Sequence, residues 1–196
     1  MDKTKELYVG IDVETDGPCS GLNSMLSLGA ASVMWSTETR KWEFSPVFSA
    51  NIKPLPECKS DPKTIMGFWG KNQKAWAAAT KDPETPENAM VRFRQWVASI
   101  HSMSGRRPVA VAAPAAFDYP FVRYYMMKFL GTDYPFGHSC LDMKTVASVI
   151  LRSPYHDSGK RGYPKKWLSD GFEHTHIAVE DAIEQTHIFT RMLDSL

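Results

Sequence analysis

The chain has 196 residues, of which 43% are hydrophobic and 23% charged, and a formal net charge of +1. This length suits one domain with a full-sized core, and the composition excludes a disordered or fibrous protein. A net charge this close to zero attracts no polyanion at long range, so any nucleic-acid site has to be local. Residues 1–196 are therefore predicted to form a single domain.

The cysteines and the N-terminal residues bear on the cellular compartment. The three cysteines are far apart and odd in number, which excludes a complete disulfide framework and a C-x-x-C zinc site. The first six residues are rich in charge, and no apolar run approaches the ~20 residues that span a bilayer. We therefore expect no signal peptide, no membrane contact and a cytoplasmic location.

The first predicted element is a strand over residues 7–12, which leads into two carboxylates, Asp12 and Glu14. Residues two apart in a strand point to the same face, so both carboxylates project into one place. Such groups repel each other unless a cation lies between them, and hard divalent cations prefer oxygen ligands. For an isolated D-x-E pair, two solvated acids at a strand end are the commoner explanation. The significance of the pair depends on ligands later in the chain.

The remaining elements predict an α/β protein. Strands over 26–35 and 42–52 follow with short connections, which is typical of an antiparallel meander. Helices are predicted over 62–79, 86–101, 118–130, 142–151 and 177–193, and further strands over 108–113 and 140–141. Antiparallel strands followed by alternating strands and helices indicate a mixed sheet flanked by helices.

Two further acids and a histidine lie at element boundaries. Asp118 follows the buried strand 108–113, at the sheet edge where α/β proteins place their sites, although alone it is most simply a helix cap. Asp181 lies one turn inside the last helix, between Ala178 and Ala182, whose small side chains allow a close approach to the sheet. His176 precedes Asp181 by five residues, so it is placed to reach the same cleft.

In this order, the motifs resemble those of the DEDDh branch of the DnaQ-like (RNase T-like) 3′–5′ exonucleases, which have an RNase H-like fold. The resemblance rests on residues 11–15 (IDVET), 115–118 (AAFD) and 176–182 (HIAVEDA), and it extends over nearly the whole chain. Many relatives carry His-Asn where this sequence has Ala113-Pro114, so the grip on the terminal nucleotide is expected to differ. Residues 61–69 are also similar to a segment of the phage-type and polyadenylate-degrading ribonuclease branch.

The resemblance implies metal-dependent hydrolysis of single-stranded RNA or DNA from the 3′ end, with RNA favoured and nucleoside monophosphates released. It implies two divalent ions, Mg²⁺ or Mn²⁺, held by four carboxylates, with His176 as general base. The predicted catalytic residues are Asp12, Glu14, Asp118, His176 and Asp181. Relatives are often homodimers, and a homodimer is compatible with this assignment.

Four residues are predicted to contact the substrate: Thr15 beside the terminal sugar, Phe117 and Tyr119 on either side of Asp118, and Arg161 in a basic, aromatic loop before His176. For Phe117, burial in the core is the commoner alternative, and for the loop a solvated surface is an equal one. Two other functions stay open. One is a nuclease-like nucleic-acid-binding module without turnover, favoured only by Ala113-Pro114, and the other is an unrelated metal-dependent phosphatase.

Overall fold

A computed structural model describes residues 3–168 and 175–196, and every residue predicted for the site falls within these ranges. The strands are β1 (Glu6–Thr15), β2 (Met25–Ser36), β3 (Lys41–Phe44), β4 (Phe48–Asn51), β5 (Arg107–Ala112) and β6 (Leu141–Asp142). The helices are α1 (Gln73–Ala79), α2 (Pro86–Ser104), α3 (Ala115–Leu130), α4 (Met143–Leu151) and α5 (Ala178–Leu193). A π-helical turn spans Thr64–Trp69, and 3₁₀ turns span Tyr155–Asp157 and Lys160–Gly162. Among the described helices, none combines the length and hydrophobicity that a membrane span requires.

The six strands form one mixed sheet with β1 at its centre. β1 pairs antiparallel with β2 and parallel with β5, which pairs parallel with β6. β3 and β4 both pair antiparallel with the other edge of β2. The strand order is thus β3-β2-β1-β5-β6, and β4 pairs with a different part of β2 from β3. The predicted fold class, a mixed sheet flanked by helices, is confirmed.

Two predicted elements are each divided into two in the structure. Residues 42–52 contain β3 and β4 rather than one strand, and Pro46 lies in the gap. Proline has no N–H to donate to a strand ladder, which accounts for the break. Residues 62–79 contain the π-helical turn and α1 rather than one helix, and residues 70–72 separate them. α3 also begins at Ala115, three residues before the predicted start.

Each face of the sheet buries its own hydrophobic cluster. Leu7 and Val9 of β1 pack on the face covered by α2 and α3, with Phe93 and Phe121. Tyr8 packs on the opposite face, with residues of α4 and α5. Because side chains alternate along a strand, the even-numbered residues of β1 face α5. Asp12 and Glu14 are therefore directed to the α5 side of the sheet.

α5 lies very close to the sheet because glycines lie beneath it. A Cβ added to Gly10 would lie 2.0 Å from Oγ1 of Thr186, and one added to Gly29 would lie 2.2 Å from the backbone carbonyl of Ala178. Both distances are shorter than any ordinary carbon contact, so only glycine fits at these positions. This packing brings the first turn of α5, with Asp181, against the end of β1.

Candidate active site

Four carboxylates meet where β1 ends, on the side of the sheet that α5 covers. They are Asp12, Glu14, Asp118 and Asp181, and all four are buried. Asp12 and Glu14 come from β1, Asp118 from the first turn of α3 and Asp181 from the first turn of α5. Together with His176 they line a cavity of about 370 Å³. The structure thus brings together all five residues that the sequence predicts to be catalytic.

Asp118 is oriented by the backbone of β1. The pairing of β1 with β5 reaches only to Gly10 and Val111, so the later residues of β1 have no strand partner on that side. The N–H of Val13 donates a hydrogen bond of 3.2 Å to Oδ1 of Asp118 instead. A main-chain donor of the sheet therefore holds the carboxylate of α3 beside those of β1.

Gln185 is a residue of the site that was not recognised in the sequence. Its Nε2 donates a hydrogen bond of 2.7 Å to Oδ1 of Asp12. Its Oε1 is buried and has no hydrogen-bond partner among the described residues. Gln185 lies four residues after Asp181 on α5, a spacing that places both side chains on one face of a helix. The spacing of four residues from Asp181 is the feature of the sequence from which Gln185 could have been predicted.

Burial and mutual repulsion raise the pKa values of three of the carboxyl groups. The pKa of Glu14 is raised to about 8, first by burial and then by the charges of Asp181 and Asp118. Burial raises the pKa of Asp118 to about 7, although the hydrogen bond from Val13 opposes this. Burial and the three neighbouring carboxylates raise the pKa of Asp12 well above its usual range. The site therefore disfavours its own anionic state in the absence of a cation.

The donor set fits a divalent cation. Glu14, His176 and Asp181 offer ligand atoms that all lie within 4.8 Å of one another. A cation would offset the repulsion that raises the pKa values, and divalent cations such as Mg²⁺ take carboxylate oxygens as ligands. His176 is therefore a candidate metal ligand as well as the predicted general base.

His176 is held at the entrance to α5 by an aromatic contact. Its φ is 56°, in the left-handed region that residues other than glycine adopt rarely. Its ring and that of Phe68 are nearly perpendicular, with ring centroids 4.8 Å apart. The neighbouring Trp69 donates from Nε1 to the carbonyl oxygen of Thr15, at 2.9 Å. The π-helical turn therefore connects the histidine to the end of β1.

Two of the four residues predicted to contact the substrate line the cavity, and two do not. Thr15 and the half-buried Phe117 line the cavity, whereas Arg161 is exposed and lies outside its lining. Tyr119 also lies outside this lining, because its side chain is buried against Phe136 and its hydroxyl donates to the carbonyl of Gly137. Asp118 and Tyr119 are consecutive residues of α3, and the helical rotation of about 100° per residue turns Tyr119 away from the cavity.

One curated relative aligns with the whole chain. It is the 3′–5′ DNA exonuclease Cap18 of Escherichia coli, which is 31% identical over 196 residues, 96% of its own length. No protein-family model matches the chain. An identity of this size over the whole of this chain and 96% of the relative identifies the class of protein.

Solved structures share the fold at lower identity. The nuclease domain of 3′hExo, a DEDDh family member bound to rAMP, has a TM-score of 0.72 at 14% identity, covering 99% of this chain and 94% of that one. The E. coli ExoI–ssDNA complex has a TM-score of 0.57 at 16% identity, covering 97% of this chain and 40% of that one. The chain belongs to the 3′–5′ exonucleases, and it shares its fold with a nuclease of the DEDDh family. The enzyme class predicted from the three motifs is confirmed.

Proposed function

We propose that the protein hydrolyses single-stranded DNA from the 3′ end and releases nucleoside 5′-monophosphates. The observation that supports this most directly is the burial of Asp12, Glu14, Asp118 and Asp181 around one cavity that also contains His176. We propose that two divalent ions, Mg²⁺ or Mn²⁺, bind to these carboxylates. Asp12, Glu14, Asp118 and Asp181 would hold the ions, which would compensate the charge of the phosphate when bound.

DNA replaces RNA as the favoured substrate. The preference for RNA was the expectation from sequence, whereas the relative that matches the whole chain is named a DNA exonuclease. The single-stranded form of the substrate is supported by the similar fold of exonuclease I of E. coli, which was solved with single-stranded DNA.

Phosphodiester hydrolysis requires an activated water, compensation of the phosphate charge and a stabilised leaving oxygen. When bound, a pair of divalent ions supplies all three. The amide of Gln185 and the N–H of Val13 keep Asp12 and Asp118 oriented towards the reacting phosphate. His176 takes the proton from the attacking water, a role that imidazole side chains commonly fill at neutral pH.

The terminal nucleoside is assigned to the part of the cavity nearest the loop between β1 and β2. Thr15 at the end of β1 and Pro18 in this loop line the cavity, whose lining also includes Phe68 of the π-helical turn and Phe117 of α3. Aromatic side chains stack on any base, because every base has a π face. This lining therefore favours binding without strong base preference.

The test uses 5′-labelled DNA and RNA oligonucleotides of one sequence, with Mg²⁺, with Mn²⁺ or with EDTA. We expect stepwise shortening of the DNA only with metal, release of mononucleotides, and RNA cleavage slower by about tenfold or more. Asp12→Ala should abolish cleavage, while Glu38→Ala, at an exposed acid between β2 and β3, should leave it unchanged.

Each contrary result identifies a different error. Equal or faster shortening of RNA would overturn the choice of DNA. Full activity of Asp12→Ala would overturn the site. A wild-type protein that binds the oligonucleotides but shortens neither, with metal present, would favour the alternative of a binding module without turnover.

A further inference from the structure

Asp16 is a further buried acid, which follows β1 directly and does not line the catalytic cavity. The residue is only 2% exposed. Its Oδ1 accepts the backbone N–H of Ser24 at 2.6 Å, and its Oδ2 accepts the hydroxyl of Ser60 at 2.9 Å. A buried carboxylate is costly unless hydrogen bonds satisfy its oxygens. Both oxygens of Asp16 are satisfied, and both donors are neutral groups.

The main chain of Asp16 joins the same two segments. Its N–H donates to the carbonyl oxygen of Ser24 at 3.0 Å, and its carbonyl oxygen accepts the N–H of Asp61 at 2.8 Å. Asp16 therefore connects the end of β1 to the residue before β2, and also to residues 60–61, which precede the π-helical turn.

The π-helical turn is attached at both of its ends to the end of β1. At its start, Oδ2 of Asp61 accepts the N–H and the hydroxyl of Thr64, each at 2.8 Å, and Asp61 is itself bound to Asp16. At its end, Nε1 of Trp69 donates to the carbonyl oxygen of Thr15 at 2.9 Å. Two consecutive residues of the chain, Thr15 and Asp16, thus fix the position of the whole turn.

The position of the turn bears on the catalytic site. The turn carries Thr64 and Phe68, which line the cavity, and the ring of Phe68 lies with its centroid 4.8 Å from that of His176. The φ of His176 is 56°, and a residue other than glycine keeps such a conformation where surrounding contacts hold it. Phe68 supplies one of these contacts, so a displaced turn would alter the orientation of the imidazole.

We propose that Asp16 is a positioning residue for catalysis, which acts on His176 through the π-helical turn. Its carboxylate holds Ser60 and thereby the start of the turn, and the turn keeps Phe68 against the imidazole. Catalytic groups need to be held to within about 0.5 Å by supporting contacts, and Asp16 supplies such support from the protein interior. The inference rests on the exonuclease function proposed above, because it concerns the rate of that reaction.

Two variants break the connection in different ways. Asp16→Ala removes both side-chain hydrogen bonds of the acid, whereas Ser60→Ala removes only one and alters an exposed residue. We expect kcat on thymidine 5′-(4-nitrophenyl) phosphate, at saturating Mn²⁺, to fall about tenfold for Asp16→Ala and about threefold for Ser60→Ala, with a smaller change in KM. Surface substitutions rarely prevent folding, so Ser60→Ala carries the test should Asp16→Ala fail to fold.

The conservative variant Asp16→Asn separates the connection from the charge. Its side-chain oxygen still accepts the N–H of Ser24, and its amide can donate to the hydroxyl oxygen of Ser60. Asp16→Asn should therefore recover most of the kcat that Asp16→Ala loses.

A double-mutant cycle with Phe68→Leu tests the route from Asp16 to His176. Residues that act through a shared contact have non-additive effects, so Ser60→Ala should lower kcat much less in the Phe68→Leu protein than in the wild-type protein. Thr85→Ala is the matched control, because it removes a side-chain hydrogen bond at the start of α2, on the face of the sheet opposite α5. It should lower Tm and leave kcat unchanged.

Hydrogen exchange gives a measurement that does not depend on catalysis. The N–H groups of Thr64 and Ile65 both donate to Asp61 at the start of the turn. They should exchange faster in Ser60→Ala and in Asp16→Ala than in the wild-type protein, while the amides of α2 keep their rates.

The contrary outcomes are distinct. If Ser60→Ala and Asp16→Ala lower Tm but keep the wild-type kcat, Asp16 is only structural, and the positioning role is wrong while the exonuclease function stands. Additive effects in the cycle, or unchanged exchange at Thr64 and Ile65, would overturn the route through the turn. If the wild-type protein hydrolyses no substrate with metal present, the proposed function fails, and the positioning role fails with it.

Discussion

Gln185 and Asp12 are joined by a hydrogen bond of 2.7 Å that connects α5 to the central strand of the sheet. The amide N–H donates, so the bond favours the ionised form of the carboxyl group. It lowers the pKa of Asp12 in opposition to burial and to three neighbouring carboxylates, which raise it. A neutral side chain on α5 thereby helps to keep the carboxylate of Asp12 anionic.

Gln185→Ala is expected to shift the pH dependence of activity. Loss of the hydrogen bond raises the pKa of Asp12 further, so the acidic limb of kcat/KM moves to higher pH. A hydrogen bond to a charged group is worth about 1.5–3 kcal/mol, which corresponds to roughly a 10- to 100-fold loss near neutral pH. Raising the pH should restore part of the activity.

The measurement is a pH–rate profile of kcat/KM on thymidine 5′-(4-nitrophenyl) phosphate, a substrate with one nucleoside and one scissile phosphodiester bond. Gln95→Ala, at an exposed glutamine of α2, is the matched control. A Gln185→Ala protein with lower activity but an unshifted acidic limb would contradict the role given to the amide.

The raised pKa values predict that the metal-free protein loses stability as the pH rises. A carboxyl group with a raised pKa binds more protons in the folded than in the unfolded state, so its ionisation favours unfolding. The loss begins near the unfolded value of ~4 and continues to about 7 for Asp118 and about 8 for Glu14. We expect Tm in EDTA to fall by about 5–10 °C between pH 5 and 8, and saturating Mn²⁺ to reverse most of this fall.

Asp12→Asn provides the check on that explanation. The variant removes one buried charge and retains a side-chain oxygen that accepts from Gln185. Its metal-free Tm at pH 8 should exceed that of the wild-type protein, although its activity is lost. Thermal unfolding in EDTA and in Mn²⁺ across this pH range measures both effects. A wild-type Tm in EDTA that rises from pH 5 to 8 would show that the four-carboxylate site does not dominate the pH dependence.

Gly29→Ala is expected to destabilise the protein and to inactivate it. The added Cβ would lie 2.2 Å from the backbone carbonyl of Ala178, and a backbone atom has no rotamer to escape. α5 must therefore move away from the sheet and take Asp181 with it. Such overpacking costs about 1–3 kcal/mol or more. Urea unfolding measures this loss in the free energy of unfolding. Gly67→Ala is the stability control, because a Cβ there meets no atom within 4 Å.

The position of the acids was predictable because strand geometry and element boundaries are local properties. The alternation of side chains along a strand places Asp12 and Glu14 on one face, whatever the rest of the fold does. Asp118 and Asp181 were recognisable as acids at the ends of apolar segments. Their common location follows from the sheet, since β1 and β5 are parallel neighbours whose ends meet at one edge.

The supporting residues were harder to predict because they depend on tertiary contacts. Gln185 carries no distinctive local signal beyond its spacing from Asp181, and its partner Asp12 is 173 residues away. Tyr119 was assigned to the substrate because it is next to Asp118 in the sequence. Adjacent residues of a helix point about 100° apart, so the side chain beside a residue of the site can belong to the core.

Experiment can decide whether His176 is a general base or a metal ligand. Its ring is both the proposed general base and a member of the group with Glu14 and Asp181 that has the spacing of metal ligands. As general base, His176→Ala should lower kcat about 10²- to 10⁴-fold at saturating Mn²⁺ and leave the Mn²⁺ affinity almost unchanged. Phe68→Leu, which removes the ring against His176, should lower kcat by a smaller factor in the same way.

Calorimetric titration with Mn²⁺ and kcat at saturating metal, on the same preparations, distinguish the two roles. A ligand role would instead reduce the Mn²⁺ affinity of His176→Ala, and excess metal would restore much of the rate. His187→Ala is the matched control, because that imidazole stacks on Phe44 and lies outside the lining of the catalytic cavity. Should His187→Ala lose activity as His176→Ala does, the loss would reflect damage to α5 rather than the removal of a base.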